Sequence, residues 1–341
     1  MQVLNVRNVH AALPEAVRYV DLGLKYGWVH EQDSRNGPVY RAEQPVTTLY
    51  QNPRERVLFW PQRDANPFFH FMEGLWMLGG RNDVKWISQF NKSFAQFSDD
   101  GRTFHGAYGD RWRYHFTVEN GNGSVEAVDQ VETAIALLKA NPLDRRVVIQ
   151  MWDARSDLAL EGKDFPCNLV INVSVSVHGF LDMMVTCRSN DIIWGAYGAN
   201  AVHMSMLQEY IAAGVGVPTG RYWQVSYNWH AYKETLEKVK VLSDFSDDNN
   251  NPYQNIQPYP MVSVDQNTWK QDLMVFLEQG PIVGFRDSFF RRVATPIYQS
   301  WMAKENTEDP NRYEHALEII DQCAAADWKI ACKDWLNRRM R

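Results

Sequence analysis

Residues 171–187 read Ile171-Asn172-Val173-Ser174-Val175-Ser176-Val177-His178-Gly179-Phe180-Leu181-Asp182-Met183-Met184-Val185-Thr186-Cys187, and this stretch decides the fold class. From Ile171 to Val177 the apolar residues fall on every second position, with Asn172, Ser174 and Ser176 between them. Successive strand side chains point to opposite faces, so this pattern predicts a strand with one buried face. His178-Gly179 then makes a tight connection into Leu181 to Cys187, and the pair reads as a hairpin. Arg146 to Trp152 is a further strand candidate. Around these strands, Phe68 to Leu78, Val125 to Ala140, Ala201 to Ala213 and His230 to Leu242 carry apolar residues at helical spacing. Gly121-Asn122-Gly123 and the polar run from Ser243 to Pro252 predict surface loops. After Pro296 the chain predicts two or three amphipathic helices ending in the basic run Asn337-Arg338-Arg339-Met340-Arg341. Helices mixed with hairpin-linked strands give an α+β domain. A doubly wound fold is disfavoured, because no glycine-rich turn leads from a strand into a helix.

The 341 residues are enough for one large domain or two average ones. Hydrophobic residues make up 45% and charged residues 22%, which are ordinary values for a globular enzyme. Aromatics reach 13%, with 13 tryptophans, and such rings suit both cores and pockets for planar ligands. The net charge of −6 argues against a general nucleic-acid surface, which needs a basic excess, but leaves room for a small anion on local arginines. No basic segment leads into an apolar stretch at the N-terminus, and no apolar run is long enough to span a membrane. Cys167, Cys187, Cys323 and Cys332 show neither CxxC nor zinc spacing, so a reduced, cytoplasmic chain without a metal site is expected.

Chemistry concentrates at Asp164-Phe165-Pro166-Cys167-Asn168. A cysteine directly after proline, at the mouth of a strand, sits on backbone that is already partly fixed. To act as a nucleophile it needs positive charge nearby, which Arg188 and Arg145-Arg146 could supply. A buried structural thiol fits the same local context. Asp144-Arg145-Arg146, Arg188-Ser189 and Ser34-Arg35-Asn36-Gly37 are each either a surface ion-pair site or an anion site. Arginine forks match phosphate oxygens, and three such sites point to a phosphomonoester.

Several motifs then occur in one order. Glu73-Gly74-Leu75-Trp76-Met77-Leu78-Gly79-Gly80 is followed by Gly106-Ala107-Tyr108-Gly109-Asp110-Arg111-Trp112-Arg113 and by Pro166-Cys167. Arg188-Ser189-Asn190-Asp191, Gly195, Asn200 and His230-Ala231-Tyr232 complete the series. Together they resemble the thymidylate synthase family, from about residue 30 to 240. The resemblance implies a mixed β-sheet packed by helices, with residues 1–295 as the catalytic domain and 296–341 as a C-terminal helical extension. It also implies that Cys167 adds to C6 of a pyrimidine nucleotide, with 5,10-methylenetetrahydrofolate as one-carbon donor and no metal. Arg35, Arg188 and Ser189 would hold the 5′-phosphate, joined by Arg145 and Arg146 from the second subunit of a homodimer. His230 and Tyr232 would hold the sugar, and Asn200 the ring edge. Asp191 and Gly195 would meet the folate, while Glu73 and Tyr108 with Asp191 would serve the proton transfers.

The chain also departs from that family's pattern. It continues for about forty residues where a short apolar tail is usual, no tryptophan stands between Asn91 and Phe94, and Asn168 replaces a histidine. The segment Gly195 to Asn200 is one residue longer than usual. A missing lid and a missing tryptophan both favour water as the final reactant, because closure is what controls such side reactions. The expected activity is therefore 5-hydroxymethylation of a deoxypyrimidine monophosphate, as in the nucleotide hydroxymethylases of phages, within the host cytoplasm if the chain is phage-encoded. Asn200 favours dUMP. Thymidylate synthesis with release of dihydrofolate, dCMP hydroxymethylation and an inactive regulatory homologue are the alternatives.

Overall fold

A computed structural model describes residues 1–245 and 251–340. Its strands are β1 (Gln2–Val6), β2 (Val29–Gln32), β3 (Val39–Ala42), β4 (Val46–Tyr50), β5 (Thr117–Glu119), β6 (Val125–Ala127), β7 (Val148–Gln150), β8 (Asn168–Val175), β9 (Leu181–Asp191) and β10 (Thr219–Tyr232). The α-helices are α1 (Val9–Tyr26), α2 (Pro67–Leu78), α3 (Val84–Ile87), α4 (Tyr108–Arg113), α5 (Gln130–Ala140), α6 (Ala154–Asp157), α7 (Asn200–Val215), α8 (Lys233–Val239), α9 (Gln266–Gln279), α10 (Thr295–Glu305), α11 (Arg312–Ile320) and α12 (Ala326–Met340). Eight strands form one mixed sheet in the order β1-β4-β10-β9-β8-β7, with β3 also on β10 and β2 on β3; β5 and β6 form a separate hairpin. The α+β expectation holds.

The quoted hairpin is β8–β9, antiparallel with Ile171 opposite Val185 and Val173 opposite Met183. Ile171 and Val173 are buried as their alternation requires. Val177 is not part of the strand: Ser176 to Gly179 form the turn, closed by the Gly179 N–H donating to Ser176 O at 2.9 Å, and Val177 is 93% exposed. Parallel pairing of β9 with β10 continues to His230, which stands opposite Asp191. This pairing corrects the helix expected over His230 to Leu242. His230, Ala231 and Tyr232 are held between β9 and β3, and the helix starts only at Lys233. Inter-strand hydrogen bonds overrode the local helical spacing. Likewise Val125 to Ala127 belong to β6, and Asp129 caps α5 by accepting from the Glu132 N–H at 3.1 Å. Half of the loop expected from Ser243 to Pro252, residues 246–250, lies outside those described.

Helix α2 shows why so apolar a sequence is needed. Asn66 caps it by accepting from the Phe69 N–H at 3.1 Å, Pro67 opens it, and all twelve residues are buried. One side faces α7. The other receives the C-terminal helices, with Phe68 5.7 Å from Trp335 and Phe71 5.1 Å from Trp328 between ring centres. Arg338 and Arg339 then pair with Asp64. The two or three C-terminal helices expected are three, α10 to α12, and they stand behind α2. The start of β8 and the ends of β9 and β10 meet at one end of the central strands, and that end carries Cys167, Arg188, Ser189, Asp191 and His230.

Candidate active site

Cys167 enters β8 under restraint from both sides. The Tyr108 hydroxyl accepts from the backbone N–H groups of Cys167 at 3.1 Å and of Asn168 at 3.2 Å. Across the strand, the Arg188 N–H donates to Cys167 O at 2.9 Å, and its Nε donates to Pro166 O at 2.9 Å. Arg188 Nη2 thereby lies 3.9 Å from Cys167 Sγ, with its guanidinium 5.6 Å from the Trp152 ring centre. Gly106 lets the Tyr108 segment approach: a Cβ there would stand 3.0 Å from Pro166 N. The Gly106 N–H donates to Asp164 at 2.8 Å, tying the two motifs together.

The thiol opens into a cavity of about 330 Å³ shared with Arg188, Arg35, Glu73, Tyr108 and an aromatic wall of Trp76, Phe94, Phe97 and Phe104. Phe94 and Phe97 thus supply rings where the sequence lacks tryptophan. A larger open concavity of about 530 Å³ surrounds Asn141, Leu143, Asp144, Arg145 and Arg146. Arg146 there pairs with Asp144 at 2.7 Å, and neither arginine lines the Cys167 cavity. Within one chain, the charge beside the thiol comes from Arg188 and Arg35.

Burial pushes the Cys167 thiol above the ordinary cysteine value; Arg188 and Arg35 oppose this and Asp164 adds to it. Burial outweighs the arginines, contrary to the expectation of a lowered value. Alkylation of Cys167 by iodoacetamide is therefore expected to keep accelerating with pH across roughly pH 7–9, since thiolate forms only as pH approaches the raised value. Mass-spectrometric labelling rates would show this, and a plateau below about pH 7 would contradict it.

The remaining expected residues fall into two groups. Arg35 donates to Gly162 O at 3.0 Å and Lys163 O at 3.1 Å, which places it at the cavity rim. Glu73 is buried, not at a surface edge, and its carboxylate lies 3.0 Å from His203 Nε2. At the strand ends, Ser189 stands opposite Asn228. His230 Nδ1 lies 3.1 Å from Asn228 Oδ1, and the Tyr232 hydroxyl accepts from Asn36 at 3.5 Å. The Asp191 carboxylate accepts from the N–H groups of Ile193, Trp194 and Tyr232, and burial raises its pKa. Trp194, 55% exposed, has the Arg63 guanidinium 4.3 Å from its ring centre. Burial lowers Arg63 to about 10, which still leaves it charged at neutral pH. Gly195 leaves room for two amides: a Cβ would stand 2.7 Å from Asn190 Oδ1 and 3.3 Å from Asn200 Nδ2.

Sequence reasoning missed His203, Arg63 and Trp194, and gave no role to Cys187 or Asn190. A faint signal existed for His203, which lies one helical turn beyond Asn200 on a buried helix.

A family profile described as thymidylate synthase matches residues 62–257, more than half of the chain. The chain belongs to the thymidylate synthase family. It is 51% identical, over 99% of its own length and 95% of the relative's, to a deoxyuridylate hydroxymethyltransferase of Pseudomonas phage M6. It is 37% identical, over 87% of its length and 78% of the relative's, to a deoxyuridylate hydroxymethyltransferase of Bacillus phage SP01. A thymidylate synthase of Corynebacterium aurimucosum is 28% identical over 51% of the chain and 62% of the relative. Members of the thymidylate synthase family share the mixed sheet packed by helices seen here, and the motif order read from the sequence falls largely inside the matched region.

Proposed function

We propose that this one-carbon transferase hydroxymethylates dUMP at C5, giving 5-hydroxymethyl-dUMP through a covalent adduct on Cys167. The observation that carries the reading is the Cys167 thiol on the floor of an aromatic cavity, 3.9 Å from the Arg188 guanidinium. Hydroxymethyltransferase relatives spanning nearly the whole chain favour water over hydride as the last reactant. So does the packing of α10 to α12 behind α2, since among the described residues none lining the cavity lies beyond Arg188.

In this reading the Cys167 thiolate adds to C6 and the displaced electron pair moves through C5 onto O4, making C5 nucleophilic. Arg188, Arg35 and Ser189 hold the 5′-phosphate, completed by Arg145 and Arg146 donated across a homodimer. His230 and Tyr232 hold the sugar, and Asn200 reads the ring edge. The methylenetetrahydrofolate co-substrate, when bound, supplies a carbon at the oxidation level of formaldehyde. Trp194, Asp191 and Gly195 suit its planar ring, because an exposed indole beside a carboxylate offers both stacking area and an acceptor. C5 bonds to the donated carbon, and as the C5 proton passes to water and tetrahydrofolate departs with the C–N bonding pair, the base is left with an exocyclic methylene. Glu73 takes the proton from water as the oxygen bonds to that methylene carbon, with the electron pair again on O4. Return of the pair expels Cys167 and restores the C5–C6 double bond.

Incubating the protein with dUMP and methylenetetrahydrofolate tests this. The expected product is 5-hydroxymethyl-dUMP with no stoichiometric dihydrofolate; dTMP with dihydrofolate would make it a thymidylate synthase. dCMP and CMP run in parallel examine the base and sugar. Failure of 5-fluoro-dUMP to trap Cys167 would point to an inactive regulatory homologue.

A further inference from the structure

Beneath Cys167 four side chains close a hydrogen-bonded ring. The Cys187 thiol donates to Asn168 Oδ1. Asn168 Nδ2 donates to Asn200 Oδ1 at 3.1 Å, and Asn200 Nδ2 to Asn190 Oδ1 at 3.1 Å. Asn190 Nδ2 returns to Cys187 Sγ at 3.7 Å and also donates to Ser226 Oγ at 3.0 Å. All five residues are buried, and every bond in the ring runs the same way round. The sheet register builds it. A bulge after Asn168 sets that residue opposite Cys187, and Cys187 stands opposite Ser226, so three strands place their side chains in one row. The absence of a Cβ at Gly195 leaves space for the Asn190–Asn200 bond.

A carboxamide turned over exchanges its donor and acceptor. Uracil offers an acceptor at O4 and a donor at N3–H; cytosine offers a donor at N4 and an acceptor at N3. An unconstrained asparagine could therefore read either base. Asn200 is not unconstrained. Turning it over would set its oxygen against Asn190 Oδ1 and its NH₂ against the Asn168 NH₂, two mismatches in a buried site. Burial holds the Cys187 thiol well above the ordinary value, so it stays protonated and serves as the donor to Asn168.

We propose that this ring selects the base. It holds the Asn200 carboxamide in one orientation, leaving one N–H for O4 and one lone pair for N3–H, and so admits uracil and rejects cytosine. Asn168, Cys187 and Asn190 are positioning residues in this scheme. It rests on the reading of Asn200 as the group that meets the ring edge.

The test is Asn168→Asp. A carboxylate there accepts from Cys187 and from Asn200, so Asn200 turns over, accepts from Asn190, and Ser226 closes the series by donating. The ratio of kcat/KM for dUMP over dCMP is expected to fall by about tenfold or more. Cys187→Ala, which only removes the directing donor, is expected to lower the ratio by about threefold and keeps the test open if the first variant does not fold. An equal loss for both nucleotides in either folded variant would mean that the ring is merely structural, and would overturn the proposal. Asn200→Asp separates the two layers. If it leaves the ratio unchanged, Asn200 does not read the base; if it shifts the ratio while Asn168→Asp and Cys187→Ala do not, only the ring inference fails.

Discussion

Replacing Cys167 with serine is expected to lower product formation on the order of 10⁴-fold or more, because the step that activates C5 depends on a polarizable thiolate. A serine hydroxyl gains no general base by hydrogen bonding here: among the described residues, the polar contacts of Cys167 Sγ are Arg188 Nη2 at 3.9 Å and the Phe165 carbonyl at 3.9 Å. No other thiol can take over, since Cys187 is fully buried and its S–H is committed to Asn168. The framework around position 167 uses backbone atoms, the Tyr108 hydroxyl and Arg188, so it survives the change. Calorimetric binding of dUMP is therefore expected to stay within about threefold of the parent, since exchanging a thiol for a hydroxyl changes one weak contact. Mass spectrometry of the product, alongside exchange of the C5 hydrogen, measures the effect. Turnover of the serine variant at even one-tenth of the parent rate would remove Cys167 from the mechanism.

Arg111→Met is expected to have the largest effect on stability. Arg111 and Asp157 are both 0% exposed in their side chains and meet at 2.8 Å and 3.0 Å, and Arg111 also donates to the backbone oxygens of His105 and Met151. Methionine fills the space and removes the permanent positive charge, leaving Asp157 with only His105 Nε2 at 2.7 Å and the Asp153 N–H at 2.8 Å, a change that costs about 3–5 kcal/mol. For a chain of this length that corresponds to a fall in Tm of about 4–7 °C. The pH dependence gives a second check. Burial raises the Asp157 carboxyl but the Arg111 hydrogen bonds prevail and hold it below the ordinary value, so the parent keeps this stabilisation above the unfolded pKa and loses it as pH falls through the lowered folded one. In the variant Asp157 protonates readily, so the gap in Tm between the two proteins narrows as pH falls. Calorimetric scans from neutral to acid pH would show it, and adding Asp157→Leu to the variant is expected to recover part of the loss. An unchanged Tm would mean that the pair is not needed.

Much of this was readable without coordinates. Helix α2 declared itself through its spacing over Phe68 to Leu78, and the β8–β9 hairpin through its alternation. Both patterns are local and obey the geometry of a single element. Cys167 likewise stood out because proline and the strand start are its immediate neighbours, and the ordered motifs placed the chain in its family. Arg111 was legible only as part of a motif; that it is a fully buried ion pair with Asp157 depends on α4 packing against the segment before β8. The helix expected across His230 failed for a related reason, since pairing with β3 and β9 is decided by residues nearly two hundred and about forty positions away.

By itself, then, the sequence determined the motif set, the family and the fold class, and singled out Cys167 as the candidate nucleophile, all of which rest on neighbours along the chain or on order along it. Tertiary structure alone decided that α10 to α12 stand behind α2, that the Cys167 thiol is raised by burial despite Arg188 and Arg35, and that Asn168, Cys187, Asn190 and Asn200 share one ring. A hydrogen bond needs two atoms within about 3 Å and correctly aimed. Side chains from β8, β9 and the start of α7 reach that distance only after the sheet has set its register.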